Sequence, residues 1–248
     1  SVGVSSFPSL NNSSDDIVLK YSNGITIDHI SYTNEWYKDE AKEDGGYSIE
    51  LINPNDPCSD IDNWTASNWP SGGTPGEINS VYNTTPDVSA AEISSLIAIA
   101  PNFLEITFNE SMDSLSLMDA PMTFNPSLSI QNKYVTSSFS KFFTLEFNET
   151  LNPSELYTIN ITGTEDCWQN SNSLSGFFTL PEEADSGDVV INEIMSNPLT
   201  GGSDWIEVFN NSNKVIDLIN WGFSNFDDDT ISNNKLISDH FILNPNEY

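Results

Sequence analysis

Asp188-Val-Val-Ile-Asn-Glu-Ile-Met-Ser-Asn-Pro198, Asp204-Trp-Ile-Glu-Val-Phe-Asn210 and Val215-Ile-Asp-Leu-Ile-Asn-Trp-Gly-Phe223 are the runs whose reading decides the fold. Each is short, rich in β-branched and aromatic residues, and bounded by Asn, Asp, Ser, Gly or Pro, the punctuation of strands in a half-buried sheet. The chain then ends at Ile242-Leu-Asn-Pro-Asn-Glu-Tyr248, where a further strand is due. Residues 188–248 therefore read as the opening half of a β domain, and residues 1–86 as the closing half of another of the same kind.

At that other end, Asp16-Ile-Val-Leu-Lys20 and Ile25-Thr-Ile-Asp-His-Ile-Ser-Tyr32 are β-type runs separated by Tyr21-Ser-Asn-Gly24. Asn-Gly favours a type I′ turn, in which both central positions take positive φ, so the two runs are expected to pair as a hairpin. Alternation puts Ile25, Ile27 and His29 on one face of the second run and Thr26, Asp28 and Ile30 on the other. Next come Trp36, Tyr37, an acidic turn over 38–46 and the alternating strand Tyr47-Ser-Ile-Glu-Leu-Ile52. A long irregular stretch follows, ending in Asn63-Trp-Thr-Ala-Ser67 and Gly72-Gly-Thr-Pro-Gly-Glu-Ile-Asn79. Structureless loops of that length are uncommon, and this one is expected to wrap a sandwich end with Trp64 and Trp69 as plugs.

Residues 81–88 read as a linker. Beyond them, runs at 91–100, 103–108, 128–130, 135–139, 142–147, 157–163 and 175–180 recur at the spacing of an all-β sandwich. A helical turn is expected near 111–118, and Pro181-Glu-Glu-Ala-Asp-Ser-Gly-Asp188 reads as a second linker.

Composition narrows function. The 248 residues are 37% hydrophobic and 11% aromatic, enough apolar material for sandwich cores, and no apolar run is long enough for a membrane-spanning helix. All seven basic residues are lysines against 37 acids, a formal charge of -30. Nucleic-acid binding needs Lys and Arg to neutralise phosphates, so DNA and RNA are excluded as partners, and so are anionic membrane surfaces. Such a field favours solubility and mutual repulsion, with divalent cations as counterions.

Catalytic chemistry finds no constellation. No serine lies in a G-x-S-x-G elbow and no Gly-rich phosphate loop precedes a helix. His29 and His240 are the only histidines and read as structural. The carboxylates Asp39, Glu40, Glu43 and Asp44, ahead of Gly45-Gly46, are the candidate metal ligands, with calcium the candidate ion because it takes six to eight oxygens from such loops. Their spacing departs from D-x-[DN]-x-[DN]-G, so a solvated turn is the alternative, as it is for Asp227-Asp-Asp229. Sequons at Asn63, Asn83, Asn109, Asn148, Asn160 and Asn210 fall within what chance supplies to so Asn-rich a chain. Asp113-Ser114-Leu115 and Asp229-Thr230-Ile231 have the acidic-hydroxyl-aliphatic form of bacterial O-glycosylation, making Ser114 and Thr230 candidate glycosylation sites. Trp36, Trp64, Trp69, Trp168, Trp205 and Trp221 read as core, with a sugar-stacking platform as the alternative. Cys58 and Cys167 fall in different expected domains; a disulfide between them would cross a boundary, partners in further segments are the equal alternative, and without a C-x-x-C pattern structural zinc is not expected.

Family resemblance adds to this. Leu104-Glu-Ile-Thr-Phe-Asn-Glu-Ser-Met-Asp113, followed by the run from Leu145 through Asn152-Pro-Ser-Glu-Leu-Tyr157 to Cys167, resembles bacterial Ig-like domains of the S-layer (SbsA-like) type. Asn192-Glu193, Trp205-Ile206-Glu207, Asn210 and Leu218-Ile-Asn-Trp221 resemble the opening strands of bacterial lamin-tail domains. Phe7-Pro-Ser-Leu-Asn-Asn12, Gly45-Gly-Tyr-Ser-Ile-Glu50 and Gly73-Thr-Pro-Gly76 resemble their closing portion. The resemblance implies an all-β chain of serial immunoglobulin-like sandwiches, incomplete at 1–86 and 188–248 around an Ig-like domain at 88–181. It implies a non-enzymatic structural or adhesive repeat segment of a large exported surface protein, extracellular or on the cell surface of a Gram-negative bacterium. Partners would be neighbouring repeats or like subunits; the half domains would be completed either by further chain or head to tail between molecules. An accessory module of an exported hydrolase or nuclease, and a carbohydrate-binding module, are the alternatives.

Overall fold

The structure, a computed structural model, describes residues 8–58, 61–153, 155–227 and 230–248, leaving aside the side chains of 226–234. It is all-β and falls into two compact units, one ending at Val88 and one beginning at Ser89.

In the first unit β1 (Ser14–Lys20) and β2 (Thr26–Thr33) form the expected antiparallel hairpin, with Ile17 opposite Ile30 and Val18 opposite His29. Its turn differs from the type I′ expectation. Positive φ occurs at Gly24 alone, Gly24 N donates to Tyr21 O, and the register shifts between Leu19 and Lys20. That is the pattern of a type I turn closed by a glycine bulge, in which only the last position needs the left-handed region. A 3-10 turn at Asn34–Tyr37 and the one-turn α1 (Glu40–Glu43) lead to β3 (Ile49–Leu51), which pairs antiparallel with β4 (Trp64–Ala66). The buried side chains here are largely polar: Glu50, Asn53, Asn63 and Ser67 beside Ala66.

The second unit opens with a closed sandwich. One sheet runs in the order β5 (Ile93–Ile99), β6 (Phe103–Asp113), β9 (Phe139–Phe147), β8 (Ile130–Val135). The other runs β11 (Ser171–Phe178), β10 (Tyr157–Glu165), β7 (Met122–Asn125), and α2 (Ser114–Asp119) follows β6. Alternation supplies the core: Leu104, Ile106 and Phe108 on β6, Phe143, Leu145 and Phe147 on β9, and Tyr157, Ile159 and Ile161 on β10 are all buried. The edge strand β8 carries Lys133, whose Nζ donates to the carbonyls of Met118 and Ala120 and so closes the C-terminal end of α2.

Three details depart from the expected strands. β7 was not anticipated, β6 continues through residues expected to turn, and the runs at 135–139 and 142–147 belong to different strands than expected: β9 is unbroken from Phe139 to Phe147. The reason is a slip in parity: Ser140 and Phe143 are both buried while Phe142 is exposed, and the β6–β9 register shifts between Thr107 and Met112.

The C-terminal module adds β12 (Val189–Met195) paired with β13 (Trp205–Asn210), β14 (Ile216–Asp217) with β17 (Ile242–Leu243), and β15 (Gly222–Asp227) with β16 (Thr230–Leu236). Its small interior is Ile216, Leu218 and Leu243, with Ala184, Val189, Val208 and Ile237 against them.

Candidate functional site

The acidic turn is spent on local structure. Asp39 caps α1, its carboxylate accepting from Ala41 N at 3.1 Å and lying 3.6 Å from Lys42 Nζ. Glu43 accepts from Asn34 Nδ2, Glu40 lies in the first turn, and Asp44 is the C-cap. Among the described residues no three of these four carboxylates lie within 4.8 Å of one another. The residues proposed for calcium therefore sit around a helical turn instead of converging on one point.

Ser114 occupies the first position of α2 and is buried; its Oγ donates to Ser137 O at 2.6 Å and its N to Ser138 O at 3.0 Å. In the folded chain that hydroxyl is engaged by the β8–β9 connection. Thr230, and Asp228 and Asp229 beside it, lie outside the residues whose side chains are described.

The histidines each meet an aspartate. His29 Nε2 is 3.4 Å from Asp16, which also accepts from Ser31 Oγ; that hydrogen bond is the main reason the Asp16 carboxyl titrates below its usual range. His240 Nδ1 bonds Asp217, whose other oxygen accepts from Ile219 N and Phe241 N, so this pair ties the β14 and β17 ends together. Trp36 and Trp64 pack with centroids 5.6 Å apart along a cleft of about 400 Å³ that Leu10, Ile17, Ile30 and Tyr32 also line. Trp69 is 52% exposed. Neither Cys58 nor Cys167 is a free thiol.

Two arrangements escaped the sequence reading. Glu50 is 4% exposed, and among the described residues no salt bridge reaches it. Its Oε2 accepts from Ser80 N and Ser80 Oγ, both at 2.7 Å, and its Oε1 from Thr74 Oγ1 at 2.8 Å. Burial pushes its pKa up, but the hydrogen bonds from Ser80, Thr74 and Ser67 outweigh that and leave it below the usual glutamate range. Gly72 lies so close to Gly46 O, 1.8 Å from where a Cβ would stand, and at φ +86, that only glycine fits this loop. Asp166, 1% exposed, accepts from Trp168 N, Asn170 N and Asn170 Nδ2 and so shapes the β10–β11 turn, with a Glu110 carboxylate oxygen within 4.8 Å. Nothing local in the sequence marks Glu50 as buried, because its donors come from distant positions, whereas the donors of Asp166 lie within four residues of it.

The C-terminal sheet leaves apolar side chains open: Ile191 is 59% and Ile194 61% exposed, with Ile206 and Trp205 beside them on β13. Among the described residues no helix is long and apolar enough to cross a membrane.

No family model and no curated protein matches the chain. Among solved structures it overlaps the N-terminal part of the bacterial S-layer protein SbsC, with a TM-score of 0.32, 13% identity, and coverage of 64% of this chain and 45% of that one. A structure of domains 1-6 of surface layer protein SbsC overlaps with the same TM-score and identity over 64% of this chain and 26% of that one. The chain thus spans less than half of either, and an overlap this loose transfers no role.

Proposed function

We propose that the chain is a non-enzymatic structural and adhesive segment of a large exported cell-surface protein, its serial β-sandwiches spacing and presenting surfaces outside the cell. The observation that carries the reading is the build of the chain, all-β with a sandwich of two antiparallel sheets, a rigid form suited to spacing and presenting surfaces. The excess of 37 acids over seven lysines supports it, since such a surface stays soluble and repels its neighbours in a crowded layer. Mild protease treatment of intact cells should release peptides of this chain, and thiol titration of the denatured, unreduced chain should find no free thiol. Recovery only from the lysate, with both thiols free, would sink the reading.

Its partners in this reading are neighbouring repeats or like subunits, and the open isoleucines of the C-terminal sheet are the surface that would receive them. Light scattering checks this: association that rises with concentration supports it, and a strict monomer at millimolar concentration refutes it. A glycan-binding role is the second reading, favoured by the exposed Trp69; loss of glycan-array signal in Trp69→Ala would support it, and an array without signal would dismiss it.

A further inference from the structure

The acidic stretch 181–188 reads as a tether in the sequence, yet its surroundings are those of a structural part. Leu180, just before it, is buried in the core of the middle sandwich, and Ala184 within it packs on the core of the C-terminal module. Between those anchors Glu182 N donates to Val215 O at 2.8 Å. Lys214 Nζ donates to Asp185 Oδ2 and Asp188 Oδ2, both at 2.7 Å, and to Glu183 O at 3.2 Å. Asp188 Oδ2 also accepts from Asp185 N at 2.8 Å, and Asn211 N donates to Asp188 O at 2.7 Å.

The lysine is held in turn from behind. Asn210 is fully buried and donates from Nδ2 to Lys214 O and Leu243 O, while its Oδ1 accepts from Ser212 N and Ser212 Oγ. Lys214 N donates to Ser212 Oγ, so the loop that presents the ammonium is itself cross-bonded.

We infer that Lys214 is a clamp that turns residues 181–188 into a rigid strut, fixing the orientation of the middle sandwich relative to the C-terminal module. A segment with Glu182, Glu183, Asp185 and Asp188 and no basic residue of its own would repel itself and extend in water. One ammonium bonded to two of those carboxylates and a carbonyl removes that repulsion and anchors the backbone where the two cores are only a few residues apart. The hydrogen bonds to Asp185 and then Asp188 hold the Lys214 pKa well above the usual lysine range, and the bond from Lys214 is the main reason Asp188 sits below its own. A raised lysine keeps its contribution below roughly pH 10.4 and loses it as pH rises through the higher folded value; a lowered aspartate keeps its contribution above roughly pH 3.9 and loses it as pH falls through the lower one. The clamp is therefore closed across the physiological range. This concerns the mechanics of the chain and holds wherever the chain works, so its failure and that of the surface reading are separate results.

The test is amide relaxation and Glu-specific proteolysis on the 248-residue chain. In the unaltered protein, amides 182–188 should show order parameters near about 0.85, like the flanking strands, falling below roughly 0.6 in Lys214→Met. Cleavage after Glu182 or Glu183 should rise on the order of ten-fold in that variant, as local opening becomes easier. Asp185→Asn, which alters one exposed partner and touches nothing buried, should give a smaller rise of about two- to five-fold, with methyl shifts of Leu218 and Leu243 unchanged in both variants. Mobile amides in the unaltered protein overturn the inference. So does wild-type cleavage in Asp185→Asn, whether Lys214→Met folds or not.

Discussion

The middle sandwich and the N-terminal unit are both made of short antiparallel strands, and their interiors are built from opposite materials. In the first, alternate residues of β6, β9 and β10 are aliphatic or aromatic and close on one another, with Phe147 stacked parallel to Phe178 at 6.5 Å between centroids and edge-on to Phe124 at 5.1 Å. In the second, the strand pair β3–β4 is centred on a carboxylate, and the Asn63 side chain bonds the Asn53 backbone twice, Nδ2 donating to Asn53 O at 2.7 Å and Oδ1 accepting from Asn53 N at 2.8 Å. An apolar interior is additive and tolerant of small slips. A polar one is held by geometry, and each donor that loses its acceptor is left unsatisfied.

The comparison breaks most easily at its apolar end. Phe147→Ala removes a fully buried ring touching both sheets and should destabilise the sandwich by about 3–5 kcal/mol. Hydrogen exchange followed by mass spectrometry should show protection lost across β5–β11, with β1–β4 unaffected. A loss confined to β9 would mean that the two sheets are not one cooperative core.

Glu50→Ala attacks the polar end. It leaves Ser80 N, Ser80 Oγ and Thr74 Oγ1 without their acceptor and should cost roughly 1–3 kcal/mol, read as faster exchange at 72–80 as well as in β3. The same carboxylate sharpens the comparison through pH. Its folded pKa is lowered, so its contribution is complete above roughly pH 4.3, the ordinary glutamate value, and disappears as pH falls through the lower folded value. Acid titration of β3–β4 stability should therefore show a limb below about pH 4.3 that Glu50→Gln flattens; an identical limb in the variant would assign it to other acids.

How far each interior could be read from the sequence follows from the same contrast. The apolar one was legible because period-two alternation is local: Leu104, Ile106 and Phe108, or Tyr157, Ile159 and Ile161, declare their face within five residues. It became illegible where a bulge broke the period, at Ser140 and Phe143, and where β7 is only four residues long. The polar interior was not legible, since in Tyr47-Ser-Ile-Glu-Leu-Ile52 alternation points Ile49 and Leu51 inward while the most buried side chain is Glu50. Its donors come from Thr74 and Ser80, and the clamp on Asp185 and Asp188 likewise comes from Lys214; no local pattern couples such distant positions. The acidic turn at 39–44 is the opposite case: its carboxylates are conspicuous together in sequence, and the structure spreads them along one helical turn, from Asp39 at its N-cap to Asp44 at its C-cap.

The smallest effects sit at the two helical turns, where one residue type does the same job against the two interiors. Asp113 and Asp39 each accept a hydrogen bond from the amide two positions on, Leu115 N at 3.0 Å and Ala41 N at 3.1 Å. α2 buries Ser114 and Leu117 in the sandwich, so fraying its first turn opens the core, whereas α1 buries nothing. Asp113→Ala should therefore cost about 1 kcal/mol of sandwich stability, near the typical value of an N-cap. Asp39→Ala should fall below that, at roughly 0.5 kcal/mol, because a turn that packs on nothing can fray without exposing apolar surface. Denaturant midpoints of the two variants, read separately by exchange in each unit, decide it. Equal losses would show that α1 is tied into its unit as firmly as α2 is, and that the polar interior transmits local damage as well as the apolar one does.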